Sequence, residues 1–387
     1  MKPIVVIGSG LAGYTIAKEL RRLSTDARVI VLTADGGEFY SKPNLSNAFA
    51  LSKGPDTLVS TLWSEMAKRF GLEIHPYTCV GRVDREDHIV HTSGGRTFAY
   101  SKLIFALGAS PTIIGIEGNG RAGIVSINSL NDYRQFRSRL ISKVAVLGGG
   151  LVGCEFANDM AAVGYRVIVV HLGAHPLDSV VPRTVGVQLQ RAQERAGIDW
   201  RVETTANRID RSRYSDQYIL ELSNHETVSA DIVLSAIGLT PRTAIARASG
   251  LTVNHGIVVD QYLGTSDPDI FALGDCAEIS GLVLPFVAPI MHAARALAST
   301  LLGNPTPVVY PPMPIIVKTP MYPIVASVGS ANEFQRWHYH FEKGGIIAEL
   351  YDDESGDLER FVLSGHCVQQ KNEYLARLRN ILPRNEL

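Results

Sequence analysis

Two glycine-rich segments with the same spacing constrain this chain more than any other feature of its sequence. The first, residues 8–13, reads Gly-Ser-Gly-Leu-Ala-Gly and follows an apolar run at residues 3–7. The second, residues 148–153, reads Gly-Gly-Gly-Leu-Val-Gly and follows a similar run. Apolar residues at helical spacing and another β-branched run come next in both places. Each segment therefore predicts a strand, a tight turn, a helix and a second strand.

The glycine spacing indicates dinucleotide binding. The first glycine of such a motif permits the turn, the second lets the backbone approach a pyrophosphate, and the third brings the helix against the strand. The phosphates then lie at the helix N-terminus, whose free N–H groups attract negative charge. One turn of this kind can occur without a ligand. Two of them, each in the right context, predict two nucleotide sites.

Other segments indicate how these two units are arranged along this α/β chain of 387 residues. Residues 103–111 and 232–241 are matching buried runs that end in glycine and then proline, as at crossings between domains. A further strand ends at Gly274-Asp275, and a proline-rich sequence of short β-like runs begins after Tyr310. We predict two Rossmann-like domains, with residues 1–110 and 238–310 forming one and residues 111–237 the other. A small α+β domain would follow at residues 311–387.

Composition excludes several classes of protein. The 37 Lys and Arg against 38 Asp and Glu give a net charge of −1, so nothing suggests nucleic acid or an anionic membrane as partner. No run approaches the roughly 18 apolar residues that a membrane span requires. Glycines at motif spacing argue against a signal peptide at the N-terminus. We expect a soluble, cytoplasmic protein.

The cysteines are too far apart for a local pair. Cys79, Cys154, Cys276 and Cys367 form no C-x-x-C motif, so neither a zinc nor an iron–sulfur site nor a redox disulfide is expected. No metal is predicted. We expect all four to be small buried apolar side chains.

Four segments of the sequence resemble the rubredoxin reductases of alkane-oxidising bacteria, within the two-dinucleotide flavoprotein disulfide reductase superfamily. They are residues 40–47 (Tyr-Ser-Lys-Pro-Asn-Leu-Ser-Asn), 153–159 (Gly-Cys-Glu-Phe-Ala-Asn-Asp), 274–278 and 317–320. The resemblance spans nearly the whole chain. It implies that the interrupted domain binds FAD and that the inserted domain binds NADH, with NADPH tolerated. It also implies electron transfer from NAD(P)H through FAD to rubredoxin, in support of an alkane hydroxylase or a similar enzyme.

The resemblance also implies the site residues. Lys42 would lie beside the flavin and stabilise the electron density that arrives with hydride, and Glu155 would meet Lys42 across the ring and position the nicotinamide. A solvated lysine and a first-turn helix glutamate are the alternatives. The implied FAD contacts are Gly8, Ser9, Gly10, Leu11, Ala12, Gly13, Thr33, Ala34, Lys42, Val80, Ala106, Gly108, Glu155, Gly274, Asp275, Val287 and Lys318. The implied NAD contacts are Gly148, Gly150, Leu151, Val152, Gly153, His171 and Gly238. Core packing is an equal alternative for Val80 and Val287.

Both adenosine ends depart from the usual pattern, in which the second strand of the unit ends in a carboxylate that binds the ribose. Thr33 and Ala34 occupy that place in the first unit, so either the Thr33 hydroxyl or Asp35 would replace the acid. His171 occupies it in the second unit and favours neither NADH nor NADPH. The expected preference for NADH rests on the resemblance.

The cysteines narrow the function that the resemblance implies. Disulfide reductases pass electrons to a cysteine couple, and peroxide-reducing relatives use one cysteine in the segment that here reads Tyr40-Ser41-Lys42-Pro43. Without these thiols, reduced flavin must pass electrons directly outward, and it can pass them singly. A ferredoxin reductase of an oxygenase system, an NADH oxidase and a flavoprotein of the apoptosis-inducing-factor type are the alternatives.

Overall fold

The computed structural model describes residues 2–329 and 336–382. Its α-helices are α1 (Leu11–Leu23), α2 (Trp63–Phe70), α3 (Leu130–Arg139), α4 (Leu151–Ala162), α5 (Arg183–Arg195), α6 (Ala244–Ala248), α7 (Val287–Leu301) and α8 (Lys371–Ala376). Its 3₁₀ helices are Lys42–Asn47, Asp56–Leu58, Arg121–Gly123, Gly274–Cys276 and His366–Gln370. Within the described ranges, no helix is long and apolar enough to cross a membrane.

The first nucleotide unit forms a five-stranded parallel sheet. Its strand order is Ile270–Ala272, Lys102–Phe105, Ile4–Ile7, Val29–Leu32 and Glu73–His75. The central strand Ile4–Ile7 is buried at every residue, which explains its continuous apolar run. The outer strand Ile270–Ala272 comes from a distant part of the sequence, so the chain leaves this sheet and later returns to it.

The second unit repeats this design. Its parallel sheet has the order Ile124–Val125, Ile232–Ser235, Lys143–Leu147, Arg166–Val170 and Asp199–Arg201. A small antiparallel sheet accompanies it, with strands Ala206–Arg211, Tyr218–Leu222 and Thr227–Ala230. Both predicted strand–turn–helix–strand units are therefore confirmed.

The two crossings between the units pair with each other. Ala109–Pro111 and Leu239–Pro241 form an antiparallel ribbon. The glycine before each strand, Gly108 or Gly238, has a φ of +66° or +115°, in the left-handed region that favours glycine. The Arg242 side chain also donates hydrogen bonds to Ser110 Oγ (2.8 Å) and to the Leu107 carbonyl (3.3 Å). The two crossings thus form one joint rather than two independent linkers.

The C-terminal region is an antiparallel sheet with α8, and the predicted α+β class is confirmed. The strand order is Pro314–Val317, Ile324–Ser327, Leu358–Gly365, Gly345–Tyr351 and His338–Glu342. One face packs against Tyr374 of α8. The other shares an apolar cluster with Phe156 of α4 and Leu45 of the 3₁₀ helix Lys42–Asn47. The C-terminal sheet therefore contacts both nucleotide units.

Smaller antiparallel pairs and one parallel pair complete the described structure. They are Phe39–Tyr40 with Val59–Thr61, Val80–Asp84 with Ile89–Thr92 and Thr97–Ala99, and Ile257–Val259 with Ala277–Ile279.

Candidate functional site

A cavity of about 1650 Å³ lies between the first nucleotide unit and the ribbon that joins it to the second. Many of the residues that the sequence singled out line it. They are Gly8, Ser9, Gly10, Thr33, Ala34, Lys42, Val80, Ala106 and Gly108. The cavity extends from the glycine-rich turn and the end of the second strand to the start of α3, because Asn128 and Asp132 also line it.

The first glycine-rich turn is shaped by close backbone contacts. A Cβ on Gly8 would lie 2.2 Å from the Ala106 carbonyl oxygen, and one on Gly13 would lie 1.9 Å from that of Gly8. By contrast, a Cβ on Gly10 would meet nothing within 4 Å. Gly10 is also the N-cap of α1, where backbone N–H groups have no partner within the helix. The turn therefore presents an open, electropositive helix end to the cavity.

The carboxylate of Asp35 lies at the end of the second strand, although the strand itself does not end in an acid. The Thr33 hydroxyl donates to Asp35 Oδ1 at 2.6 Å and lies 2.7 Å from Ser9 Oγ. The same Asp35 oxygen accepts from the Gly37 N–H at 3.0 Å and from Ser9 Oγ at 3.2 Å. Asp35 and Ala34 are exposed on the cavity side. Thr33 and Asp35, the two candidates to replace the missing acid, therefore lie together, and the Thr33 hydroxyl orients the Asp35 carboxylate.

Lys42 begins the 3₁₀ helix Lys42–Asn47, is partly buried and lines the cavity. Burial lowers the pKa of the Lys42 ammonium, and the Asp275 carboxylate opposes that shift. Burial in turn raises the pKa of Asp275, and Lys42 opposes it. The neighbouring Arg242 further lowers the pKa of Lys42. The charges that act on partly buried Lys42 are therefore one further cation, Arg242, and two carboxylates, Asp275 and Asp132.

Glu155 forms an ion pair with Lys318. Its side chain is 8% exposed, and Oε2 lies 2.6 Å from Lys318 Nζ and accepts from Ser46 Oγ at 2.6 Å. Oε1 accepts from the Lys318 N–H at 3.0 Å. Lys318 Nζ also donates to the Pro43 carbonyl at 2.5 Å and to Ser46 Oγ at 2.8 Å. We call the three side chains Glu155, Lys318 and Ser46 the clamp.

Lys42 is not part of the clamp, and the expected meeting of Glu155 and Lys42 across the flavin ring stays a prediction. The 3₁₀ turn directs Ser46 toward α4, while Lys42 lines the cavity. Ser46 was not singled out by the sequence, although it lies in the family-like segment 40–47. The clamp joins one residue from each nucleotide unit and one from the C-terminal sheet.

A second contact fastens the same loop to α4. Asp159 accepts the Phe49 N–H at 2.9 Å and the Ala50 N–H at 2.8 Å. The Phe49 ring has the Arg137 guanidinium 4.0 Å from its centroid. Burial raises the pKa of Asp159, and the two N–H donors oppose that shift. Asp159 lies in the family-like segment 153–159, but the sequence did not indicate its role, because its partners are backbone groups.

Asn128 leaves a hydrogen-bond acceptor unused within the described residues. Its Nδ2 donates to the Ala109 carbonyl at 2.8 Å, whereas its buried Oδ1 has no partner there. Asn128 lines the cavity. A buried acceptor without a donor costs about 1–3 kcal/mol. A bound molecule that carries a hydroxyl or N–H group would satisfy it.

The second glycine-rich turn repeats the geometry of the first. A Cβ on Gly148 would lie 2.6 Å from the Ala236 carbonyl oxygen, and one on Gly153 would lie 1.9 Å from that of Gly148. Gly150 is the N-cap of α4 and has open space around it. At the end of the second strand, His171 Nδ1 accepts the Gly149 N–H at 3.2 Å. The turn again leaves a helix end open for phosphate.

The remaining predicted contacts occupy varied settings. Val80 is buried in the core and also lines the cavity, whereas Val287 is 44% exposed at the start of α7. That helix begins two residues before Pro289. Gly274 lies in the 3₁₀ turn before Asp275 with a φ of +78°. Core packing is therefore not the role of Val287.

Three of the four cysteines are buried, and one is not. Burial raises the pKa of the Cys154 thiol, and it raises that of Cys276 to about 11. Cys367 is also buried. The expectation of burial is wrong for Cys79, which is exposed because it lies at the cavity wall before the strand Val80–Asp84. Among the described residues, no group of three or more His, Cys, Asp or Glu could hold a metal ion.

Comparison with known proteins agrees with this geometry. Residues 2–299 match the family model described as pyridine nucleotide-disulphide oxidoreductase, and residues 307–378 match that of a rubredoxin binding C-terminal domain. The chain is 39% identical over 385 residues to a rubredoxin-NAD(+) reductase of Acinetobacter baylyi, covering 98% of each chain. It is 36% identical over 369 residues to a nitric oxide reductase FlRd-NAD(+) reductase of Aliivibrio fischeri, covering 95% of this chain and 96% of that one.

Among solved structures, the chain resembles the reductase in a covalent putidaredoxin reductase–putidaredoxin complex. The TM-score is 0.88 and the identity 22%, over 98% of this chain and 94% of that one. At this identity the likeness describes the fold alone.

Proposed function

Because this chain belongs to the pyridine nucleotide-disulphide oxidoreductase family, we propose that it transfers a hydride from NADH to bound FAD and then passes single electrons to rubredoxin. The observation that carries the acceptor is the match of residues 307–378 to a rubredoxin binding C-terminal domain. Relatives named rubredoxin-NAD(+) reductase, similar over nearly their full length, support the same reaction. The resemblance further suggests a cytoplasmic enzyme that supplies an alkane hydroxylase or a comparable oxygenase.

The cavity fits FAD on three observations. The open N-terminus of α1 suits a pyrophosphate, the exposed Asp35 suits a ribose, and the unused Asn128 oxygen suits a donor on the ligand. When bound, FAD accepts electrons in pairs as hydride and releases them one at a time. The other residues proposed to hold it are Gly8, Ser9, Gly10, Leu11, Ala12, Gly13, Thr33, Ala34, Val80, Ala106, Gly108, Gly274, Asp275, Val287 and Lys318.

Lys42 and Glu155 have separate tasks in this proposal. Lys42 provides a fixed, partly dehydrated positive charge at the cavity. Glu155 acts as a positioning residue, because the clamp holds the 3₁₀ helix on which Lys42 lies. Asp275 keeps the Lys42 ammonium charged against the effect of burial. This division of labour differs from a pair of residues that meet across one ring.

We divide the chain between these tasks as the sequence suggested. The FAD unit comprises residues 1–110 and 238–310, the NAD unit residues 111–237, and the acceptor-binding region residues 311–387. The two parallel sheets and the ribbon between them support the division. The proposed NAD contacts are Gly148, Gly150, Leu151, Val152, Gly153, His171 and Gly238.

Direct transfer to a one-electron acceptor is consistent with the thiols. Cys154 and Cys276 are fully buried and their raised pKa values keep them protonated. Cys79 is exposed without a second cysteine beside it. A dithiol relay of the kind used by disulfide reductases therefore has no support in this chain.

Asp35→Asn is expected to weaken FAD binding about tenfold, because a neutral amide forms weaker hydrogen bonds to ribose hydroxyls than a carboxylate does. The dissociation constant would be measured by fluorescence after removing the flavin and titrating FAD back. Asp26→Asn, at an exposed position just after α1, is the matched control. Equal affinities for the two variants would contradict the role of Asp35.

The proposed reaction is tested by anaerobic titration of the FAD-loaded protein with NADH, followed by purified rubredoxin. We expect NADH to bleach the flavin absorption and oxidised rubredoxin to restore it with two equivalents per flavin. In steady state, cytochrome c reduction should depend on added rubredoxin. A flavin that NADH does not bleach would refute the proposal.

The acceptor named FlRd is the second candidate. Relatives named nitric oxide reductase FlRd-NAD(+) reductase, 36–37% identical to this chain, favour it. Replacing rubredoxin with FlRd in the same titration distinguishes the two. A ferredoxin that restores the flavin faster than either would instead favour an oxygenase ferredoxin reductase.

A further inference from the structure

The second nucleotide unit carries no acid at the end of its second strand, yet a carboxylate lies close by. His171 follows the strand Arg166–Val170, at the place where an acid usually binds the ribose 2′-hydroxyl of NAD. We infer that Asp178, oriented by His171, binds the adenosine ribose of NADH and disfavours the 2′-phosphate of NADPH. This inference rests on the proposed function, because it names the nucleotide that the second site selects.

His171 cannot itself take the place of the acid, since both of its ring nitrogens are engaged. Nδ1 accepts the Gly149 N–H at 3.2 Å, so the neutral ring carries its proton on Nε2. Nε2 lies 3.1 Å from the His175 carbonyl oxygen and 3.4 Å from Asp178 Oδ1. The imidazole therefore offers no acceptor to a ribose hydroxyl. The Nε2–H donates to the His175 carbonyl, and the Asp178 carboxylate lies beside the same nitrogen.

Gly173 provides the space in which the Asp178 carboxylate lies. A Cβ on Gly173 would be 1.7 Å from Asp178 Oδ2, closer than any real contact. The backbone of Gly173 is outside the left-handed region, so its small size rather than its flexibility matters here. The Asp178 side chain remains 37% exposed and has acceptor capacity left for a ligand.

The same three-part arrangement occurs in the first unit. There the second residue of the glycine-rich turn contacts the strand-end residue, and the strand-end residue contacts a carboxylate that comes later in the sequence. The two chains of contact are Ser9, Thr33 and Asp35 in the first unit, and Gly149, His171 and Asp178 in the second. In each unit, the residue at the strand end is not an acid, but the carboxylate of a later residue lies close to it.

The cations around the site also favour NADH. An arginine near the strand end usually binds the 2′-phosphate of NADPH. Arg201, whose carbonyl accepts the His171 N–H, is instead paired with Asp199 and with Glu226 at 2.9 Å. Its charge is therefore balanced by two carboxylates. Arg183, exposed at the start of α5, is a cation whose charge acts on the neighbouring His175.

Isothermal titration of the FAD-loaded protein tests the assignment, with ADP-ribose and 2′-phospho-ADP-ribose as non-reacting probes. The unsubstituted protein should bind ADP-ribose more tightly. Asp178→Asn should weaken ADP-ribose binding about tenfold, the contribution of one hydrogen bond to a charged group, and should strengthen binding of the 2′-phosphate form. Gly173→Ala, which displaces the carboxylate but keeps its charge, should weaken ADP-ribose binding in the same way.

Asp216→Asn is the control, because it removes one charge at an exposed position of the same unit, where Asp216 forms an ion pair with Arg211. If both test variants keep the ratio of the two affinities within twofold of this control, Asp178 does not select the nucleotide. Tighter binding of the 2′-phosphate form to the unsubstituted protein would overturn the inference and favour Arg183 as its ligand. If NADH also bleaches the flavin in the same preparation, the proposed function stands although the assignment of Asp178 fails.

Discussion

Lys42→Met is expected to slow the reduction of bound FAD by NADH by about a hundredfold or more. Removing one preorganised group that stabilises developing charge in a dehydrated site costs about 10²–10³ in rate. Lys42 is such a group, because it lines the cavity and burial already lowers the pKa of its ammonium. Methionine keeps the length of the side chain but not its charge. Anaerobic stopped-flow absorbance at saturating NADH measures the rate.

Two further measurements separate an electrostatic role from a structural one. The two-electron reduction potential of the flavin should fall in Lys42→Met, because a nearby positive charge favours the reduced, electron-rich form. Lys53→Met is the matched control, since Lys53 is exposed in the loop that follows the same 3₁₀ helix. A Lys42→Met rate within twofold of that control, with an unchanged potential, would exclude the proposed role.

Glu155→Gln is expected to lower the free energy of unfolding by about 2 kcal/mol and to slow flavin reduction about tenfold. Breaking a fully buried ion pair costs about 3–5 kcal/mol, and the cost here is smaller because Lys318 keeps 27% side-chain exposure. The slower reduction follows from the loosened 3₁₀ helix that carries Lys42. Urea unfolding of the FAD-loaded protein and stopped-flow absorbance measure the two effects.

A double-mutant cycle tests whether Glu155 acts through the clamp. Glu155→Gln and Lys318→Met together should destabilise the protein by about 1–2 kcal/mol less than the sum of the single changes, because contacting residues are not additive. Glu194→Gln is the control, since Glu194 is exposed on α5 and its carboxylate accepts a hydrogen bond from the Gln190 side chain. Additive effects would show that Glu155 and Lys318 act independently, and the clamp would then not explain the role of Glu155.

Most of the fold could be predicted because its determinants are local. Gly8, Gly13, Gly148 and Gly153 fix two tight turns by steric contact with nearby backbone, and Gly10 and Gly150 leave the helix ends open. Apolar runs beside them identify buried parallel strands. The α+β character of the C-terminal region followed from its prolines and short β-like runs. The burial of Cys154 and Cys276 was expected, whereas the exposure of Cys79 at a cavity wall was not.

The candidate site was only partly predictable, because its contacts join distant segments. The partner of Glu155 depends on where the C-terminal sheet packs, and Lys318 lies 275 residues from Pro43, to which it also binds. No periodicity or spacing encodes such a contact. The roles of Asp159 and Asn128 could not be predicted for a related reason. Both bind backbone groups, and only the packing of the loops determines where those groups lie.

The sequence alone therefore determined the two nucleotide units, their order and the lack of a cysteine pair, since each of these depends on residues close together in the chain. Only the tertiary structure decided which lysine Glu155 binds and which acids lie near the two strand ends. Asp35 and Asp178 lie beyond the strand ends where an acid is usually found, and folding orients Asp35 within 2.6 Å of Thr33 and Asp178 within 3.4 Å of His171. Such orientation is a property of side chains packed in three dimensions, where a short distance between atoms is independent of their separation in sequence.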